Sequence, residues 1–200
     1  MKLIGWDVGI KNLSYCVIDY DDNDYKICDW GIIDLRTNDQ KEKGKKCAKI
    51  SLKDLSRELY KNLEKNKQFS DFDYVIIENQ PVLKNPTMKS VQMILYSYFS
   101  FKSLHNKNFK DLLLMSASNK LKVYTEEIVS EEMDKINKLK SKYNRNKKIS
   151  IMHTKILIKD HTYNSEKWLE FFEGNKKKDD LADSYLMILY YLKKNKLIKI

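Results

Sequence analysis

The chain has 200 residues, with 38 Lys and Arg against 28 Asp and Glu, for a formal net charge of +10. A chain this long buries about 70% of its unfolded surface, so one core over residues 1–200 is expected as a single domain, and the positive excess favours a polyanionic partner. Cys16, Cys28 and Cys47 lack metal or disulfide spacing and fit buried thiols in a reducing compartment, while the absence of a ~20-residue apolar run or a signal-peptide pattern excludes a membrane span and predicts a soluble, intracellular protein.

The first strand is expected over Lys2–Ile10 and the second over Leu13–Asp19, joined at Lys11-Asn12 as a hairpin. Asp21 to Asp24 form the next turn, and Tyr25 to Leu35 a third strand, so three consecutive antiparallel strands open the fold. Ala48, Leu52, Leu55, Leu59 and Leu63 recur at helical spacing. Phe72 to Ile77 is more continuously apolar, as suits a strand buried on both faces, and it ends at Glu78.

Asn79-Gln80-Pro81 breaks that strand, and Asn85 or Thr87 caps a helix to about Leu104 whose apolar face holds Val91, Ile94, Leu95, Tyr98 and Phe101. Leu112 to Met115 supply a fifth strand. Residues 120–142 mix Lys and Glu with few apolar positions and suit a solvated insertion. A helix marked by Ile149, Met152 and Ile156 follows the basic cluster Lys142, Arg145, Lys147 and Lys148. Asn164 or Ser165 caps a segment with Trp168, Leu169, Phe171 and Phe172, and Asp179-Asp180-Leu181-Ala182-Asp183 opens a strongly apolar last helix. These elements make an α/β domain with a mixed sheet and flanking helices.

Asp7 is a lone carboxylate between two glycines in an apolar strand, which is costly without a partner. Glu78 ends the fourth strand, and Asp180 and Asp183 are neighbours on one helix face, so adjacency of the first and fourth strands would gather all four. Clustered carboxylates at neutral pH need either protonation or cations, and oxygen ligands suit Mg²⁺ or Mn²⁺; in pairs about 4 Å apart such ions activate water for phosphodiester displacement. The glycines would leave room for metal and phosphate to approach the backbone. Asp179 lies about 100° from the edge shared by Asp180 and Asp183 and is expected to interact with the helix N-terminus.

Together, Ile4-Gly5-Trp6-Asp7-Val8-Gly9, Val75-Ile76-Ile77-Glu78-Asn79-Gln80 and Asp180-Leu181-Ala182-Asp183-Ser184 resemble the RuvC-like Holliday junction resolvases of the RNase H superfamily. The resemblance runs from Lys2 to about Leu192 and is greatest to the resolvases of poxviruses and other large DNA viruses, with the fungal mitochondrial enzymes more distant. It implies an RNase H-like fold, a five-stranded mixed sheet of order 3-2-1-4-5. It also implies a homodimer that nicks four-way DNA junctions symmetrically, leaving ligatable 5′-phosphate and 3′-hydroxyl ends. Asp7, Glu78, Asp180 and Asp183 would hold the metal, two ions per site, with Lys148 also catalytic and Lys142, Arg145, Lys147 and Lys148 contacting DNA. A cytoplasmic DNA virus would place it in host cytoplasm, and another source in nucleus or mitochondrion. Asp179 beside Asp180 and the stretch 120–142 depart from the pattern.

Other readings remain. A less selective nuclease acting on RNA–DNA hybrids or flaps shares the fold, and so does a non-catalytic junction-binding protein. Sugar kinases and actin-like ATPases also open with a hairpin, but five glycines and no second phosphate loop argue against them. Trp168, Phe171 and Phe172 at helical spacing suit core packing as well as base stacking. His105, His153 and His161 have no metal-ligand spacing.

Overall fold

The structure, a computed structural model, describes residues 1–22, 24–44, 50–83, 85–124 and 131–200. Cys47 and Ala48, and part of the 120–142 stretch, lie outside them. The strands are β1 (Lys2–Asp7), β2 (Leu13–Asp21), β3 (Asp24–Ile33), β4 (Tyr74–Glu78) and β5 (Asp111–Met115). They form one sheet in the order β3-β2-β1-β4-β5. The β1–β2 and β2–β3 pairs are antiparallel, and the β1–β4 and β4–β5 pairs are parallel. The helices are α1 (Asn38–Glu42), α2 (Leu52–Lys65), α3 (Pro86–Ser103), α4 (Glu131–Asn137), α5 (Lys142–His161), α6 (Ser165–Gly174) and α7 (Lys178–Lys194).

Local chemistry sets the helix starts. Ser51, Asn85 and Ser141 each accept a hydrogen bond from a backbone N–H in the first turn of α2, α3 and α5, which satisfies a donor the helix leaves open. Pro86 stands at the start of α3, where its missing N–H costs nothing. Asn164 precedes α6 in the left-handed region, φ 57°, and its side chain makes no cap bond, contrary to the capping role expected of it.

Because successive strand residues point to opposite faces, each strand feeds two cores. Ile4, Trp6, Val75 and Ile77 pack with Leu55, Leu59 and Leu63 of α2 and Val91, Leu95 and Phe99 of α3. Leu3, Cys16, Ile18 and Ile76 pack on the other face with Leu157 of α5, Trp168 and Phe172 of α6, and Leu181, Tyr185, Ile188 and Leu192 of α7. Covering both faces buries β4 from Val75 to Ile77, and α7 lies directly over the central strands.

Several sequence expectations change. β1 stops at Asp7, while Val8 and Ile10 enter the α2–α3 core from the following loop. On α3 the buried aromatics are Tyr98 and Phe99; Phe101 is 61% exposed, because the core-facing stripe runs through Val91, Leu95, Tyr98 and Phe99. The 120–142 stretch is not simply solvated. Lys120, Val123 and Ile136 are buried, and Ala117–Lys122 form a 3₁₀ helix after β5. No helix of the described residues is long and apolar enough to cross a membrane.

Candidate active site

Strand alternation brings the first two acids together. On β1, Leu3 points toward α7 and Asp7 follows in the same phase; on β4, Ile76 points that way and so does Glu78. Trp6 pairs with Ile77 across the parallel ladder, so Asp7 and Glu78 emerge side by side at the carboxyl ends of their strands. Ser14 of β2 pairs with Asp7 on its other side.

α7 reaches them because Gly5 has no side chain. A Cβ there would stand 2.4 Å from the Ser184 backbone oxygen and 2.7 Å from Ile188 Cγ1. Gly9 is similarly filled, by the Asn12 carbonyl at 2.4 Å from a notional Cβ. The two glycines therefore admit protein backbone rather than metal or phosphate, which corrects the sequence expectation. Ser184 is then fixed by a buried network: its Oγ donates to Leu181 O at 2.9 Å, lies 2.9 Å from Ser14 Oγ, and accepts from Trp30 Nε1 at 3.3 Å. Trp30 Nε1 also donates to Leu181 O at 3.1 Å. These bonds set the rotation of the turn that carries Asp180 and Asp183.

Lys120, which the sequence reading passed over, stands among the acids. Its side chain is 7% exposed, with Nζ 2.7 Å from Asp183 Oδ2, 3.5 Å from Asp7 Oδ1 and 3.6 Å from Glu78 Oε2. Burial by itself would discharge this ammonium, but Asp7, Asp183 and Glu78 together hold its pKa above the ordinary lysine value. The available signal was position: Lys120 follows β5, and loops at the carboxyl ends of parallel strands build sites in such sheets.

Burial pushes Asp7 well above the usual carboxylate range; Lys120 opposes this and Glu78 adds to it. Asp183 is raised to about 6 by burial, partly offset by Lys120. Asp180 is raised to about 6 by burial and by the neighbouring Asp179 and Asp7 charges. Asp179 differs. Burial would raise it, but a hydrogen-bonded ion pair with Lys147 of α5 brings it below its ordinary value. So Asp179 is tied to Lys147 rather than merely to the helix N-terminus, whereas Asp180 keeps a buried Oδ2 without a hydrogen-bond partner.

Among the described residues, no three His, Cys, Asp or Glu side chains stand close enough to form a preformed metal cage. The space shared by Asp7, Glu78 and Asp183 holds the Lys120 ammonium instead. The donor chemistry still fits a hard divalent cation: the donors are oxygens, three are carboxyls whose charge burial disfavours, and Asp180 offers an orphaned acceptor.

The acids form the floor of a cleft of about 800 Å³. Its wall includes Lys142, Tyr143, Asn146, Lys147 and Ser150, spaced as one face of α5. Lys148, one residue or about 100° further round, is exposed and does not line the cleft. Arg145 is half-buried and donates from Nη2 to Leu139 O at 3.0 Å. Of the four basic residues expected at the site, the structure turns Lys142 and Lys147 toward the acids. His153 is buried against Tyr124, and burial lowers it to about 4, so it is neutral packing. Trp168 and Phe172 lie in the core around Trp30.

No family model matches the chain. An uncharacterized protein of Acanthamoeba polyphaga mimivirus is 39% identical over 146 residues, which are 69% of this chain and 34% of that protein. The chain thus spans about a third of the length of this curated relative. Among solved structures, the fowlpox virus resolvase in complex with its substrate Holliday junction DNA has a TM-score of 0.61 at 22% identity, covering 98% of this chain and 99% of that one. The yeast mitochondrial Holliday junction resolvase gives 0.60 at 21% identity, covering 98% and 80%. Thermus thermophilus RuvC in complex with a Holliday junction substrate gives 0.51 at 9% identity, covering 98% of each chain. The structural neighbours are Holliday junction resolvases, and the chain has their fold, with its five-stranded sheet of order 3-2-1-4-5.

Proposed function

We propose, from the resolvase fold and its acidic cleft, that this chain is a structure-selective endonuclease that resolves four-way and related branched DNA by metal-dependent phosphodiester hydrolysis. The observation that carries the reading is the gathering of Asp7, Glu78, Asp180 and Asp183 on the floor of a cleft whose wall is basic. Mg²⁺ or Mn²⁺, two ions per site held by these four carboxylates, would supply activation of water and stabilisation of phosphate charge.

The chain's own groups do the rest. Lys120 bridges Asp7, Glu78 and Asp183 and holds them in place, and presents an ammonium to the phosphate oxygens at the cleft floor. Asp180 Oδ2, buried without a hydrogen-bond partner, is an oxygen donor left open for a metal ion. Lys142 and Lys147 draw the phosphate backbone toward the acids, with outlying Lys148 and Arg145 adding charge along the DNA path. Water oxygen attacks phosphorus and gives up a proton to solvent, the bond to the 3′ oxygen breaks and that oxygen takes a proton from solvent, and the products are a 5′-phosphate and a ligatable 3′-hydroxyl.

The 200 residues act as one nuclease domain in this reading. Paired nicks across a junction need two sites related by a two-fold axis, hence a homodimer. Exposed Met93, Phe101 and Leu104 on the outer side of α3 and just beyond its end support such a contact. Sedimentation showing only monomers, with and without DNA, would count against the dimer. The mimivirus relative supports a viral source, for which host cytoplasm is the expected location.

The test is a cleavage gel with a mobile four-way junction, an RNA–DNA hybrid and a plain duplex, each with Mg²⁺ or with EDTA. Paired junction nicks in Mg²⁺, lost in EDTA and in Asp7→Asn or Glu78→Gln while junction binding persists, are expected. Preference for the hybrid, or binding without cleavage, would replace the proposal by a general nuclease or a non-catalytic binder. Wild-type cleavage by either variant would refute the site.

A further inference from the structure

Tyr143 lies in the first turn of α5 and, among the described residues, is the aromatic side chain that lines the acidic cleft. It is 67% exposed, whereas the aromatics of α6 that sequence alone suggests for stacking are turned into the core. The ring is anchored rather than adrift: the Lys147 ammonium sits 4.8 Å from its centroid, and the same ammonium is bonded to Asp179 beside Asp180. One lysine head group thus lies between an open aromatic surface and Asp179, the neighbour of Asp180.

We propose that Tyr143 is a stacking platform for an unpaired nucleobase at the branch point, seating that nucleotide so that its phosphodiester enters the acidic floor. This deepens the nuclease reading and rests on it. Bases in continuous duplex already stack on both sides and present only edges to the grooves, so an exposed ring has nothing to stack on there. At a branch a base face becomes available, and an aromatic platform takes any base because each has a π-face. The platform therefore contributes to choosing branched over linear DNA, while Lys142 and Lys147 attract both alike.

The experiment uses the full chain in EDTA, which prevents cleavage, and four-way junctions carrying 2-aminopurine either at the branch point or in mid-arm. Wild-type protein should quench the branch-point probe and leave the mid-arm probe unchanged. Tyr143→Phe and Tyr143→Trp should retain the quench. Tyr143→Leu should lose it and bind the junction about 5- to 100-fold more weakly, with duplex affinity and melting temperature unchanged. An equal loss on junction and duplex, or wild-type quenching by Tyr143→Leu, overturns the platform. In that case Mg²⁺-dependent junction cleavage by wild type leaves the nuclease reading intact; no preference of wild type for junctions over duplex overturns both.

Discussion

Gly5→Ala adds one methyl at the contact that lets α7 lie on the sheet. The new carbon would stand 2.4 Å from a backbone oxygen and 2.7 Å from the Ile188 side chain, against 3.4 Å for ordinary contact. Ile188 can rotate, but Ser184 O belongs to a helix wedged between β1 and α5, so α7 must retreat by about 1 Å. Overpacking of this kind costs about 1–3 kcal/mol, and for a chain of this size each kcal/mol lowers Tm by roughly 2–4 °C. The same retreat separates Asp180 and Asp183 on α7 from Asp7 and Glu78 on the sheet, and a misplacement of about 1 Å is worth roughly 100-fold in rate. Thermal melts followed by circular dichroism, with single-turnover junction cleavage in saturating Mg²⁺, measure both. Gly174→Ala, whose added Cβ meets nothing within 4 Å, is the control and should change neither. If Gly5→Ala melts within a degree of wild type and cleaves within twofold of it, the close approach does not set the site.

Lys120→Met should destabilise the protein in EDTA by about 3–5 kcal/mol, because three carboxylates lose their shared cation, and Mg²⁺ should restore more Tm to this variant than to wild type; an unchanged melt in EDTA refutes its role. Asp180 and Asp183 titrate near 6, above the unfolded value of 3.8, so the folded metal-free protein holds protons that the unfolded chain releases. Their contribution is fully present below pH 3.8 and lost as pH rises through about 6, so Tm in EDTA should fall across this window more in wild type than in Asp183→Asn, while the Tm gain from Mg²⁺ grows. A Mg²⁺ gain that is flat from pH 4 to 7 would contradict this. Ser184→Ala strands the Ser14 hydroxyl and should cost about 1–3 kcal/mol; adding Ser14→Ala should recover part of that, as a double-mutant cycle by chemical denaturation would show.

The positions of the carboxylates were legible from the chain because each sits where a pattern breaks or ends. Asp7 interrupts an apolar strand, Glu78 closes one, and Asp180 and Asp183 open an apolar helix three residues apart. Strand period two and helix period 3.6 then carry side chains to defined faces, which is why sheet order and acid positions followed from local reading and family resemblance. A buried lysine carries no such mark. Lys120 lies in a polar stretch and is buried because its 3₁₀ segment packs against α7, while the register of α5 turns Lys147 inward and leaves Lys148 out.

Local sequence thus determined the elements, their faces and the acids offered to the site, since these depend on neighbours a few residues away. The tertiary structure decided what fills the spaces between elements: α7 rather than a ligand against Gly5, Phe99 rather than Phe101 in the core, and Lys120 among the carboxylates. Those outcomes depend on contacts between residues as far apart as Asp7 and Lys120 or Ser14 and Ser184, and on burial that makes each pairing strong.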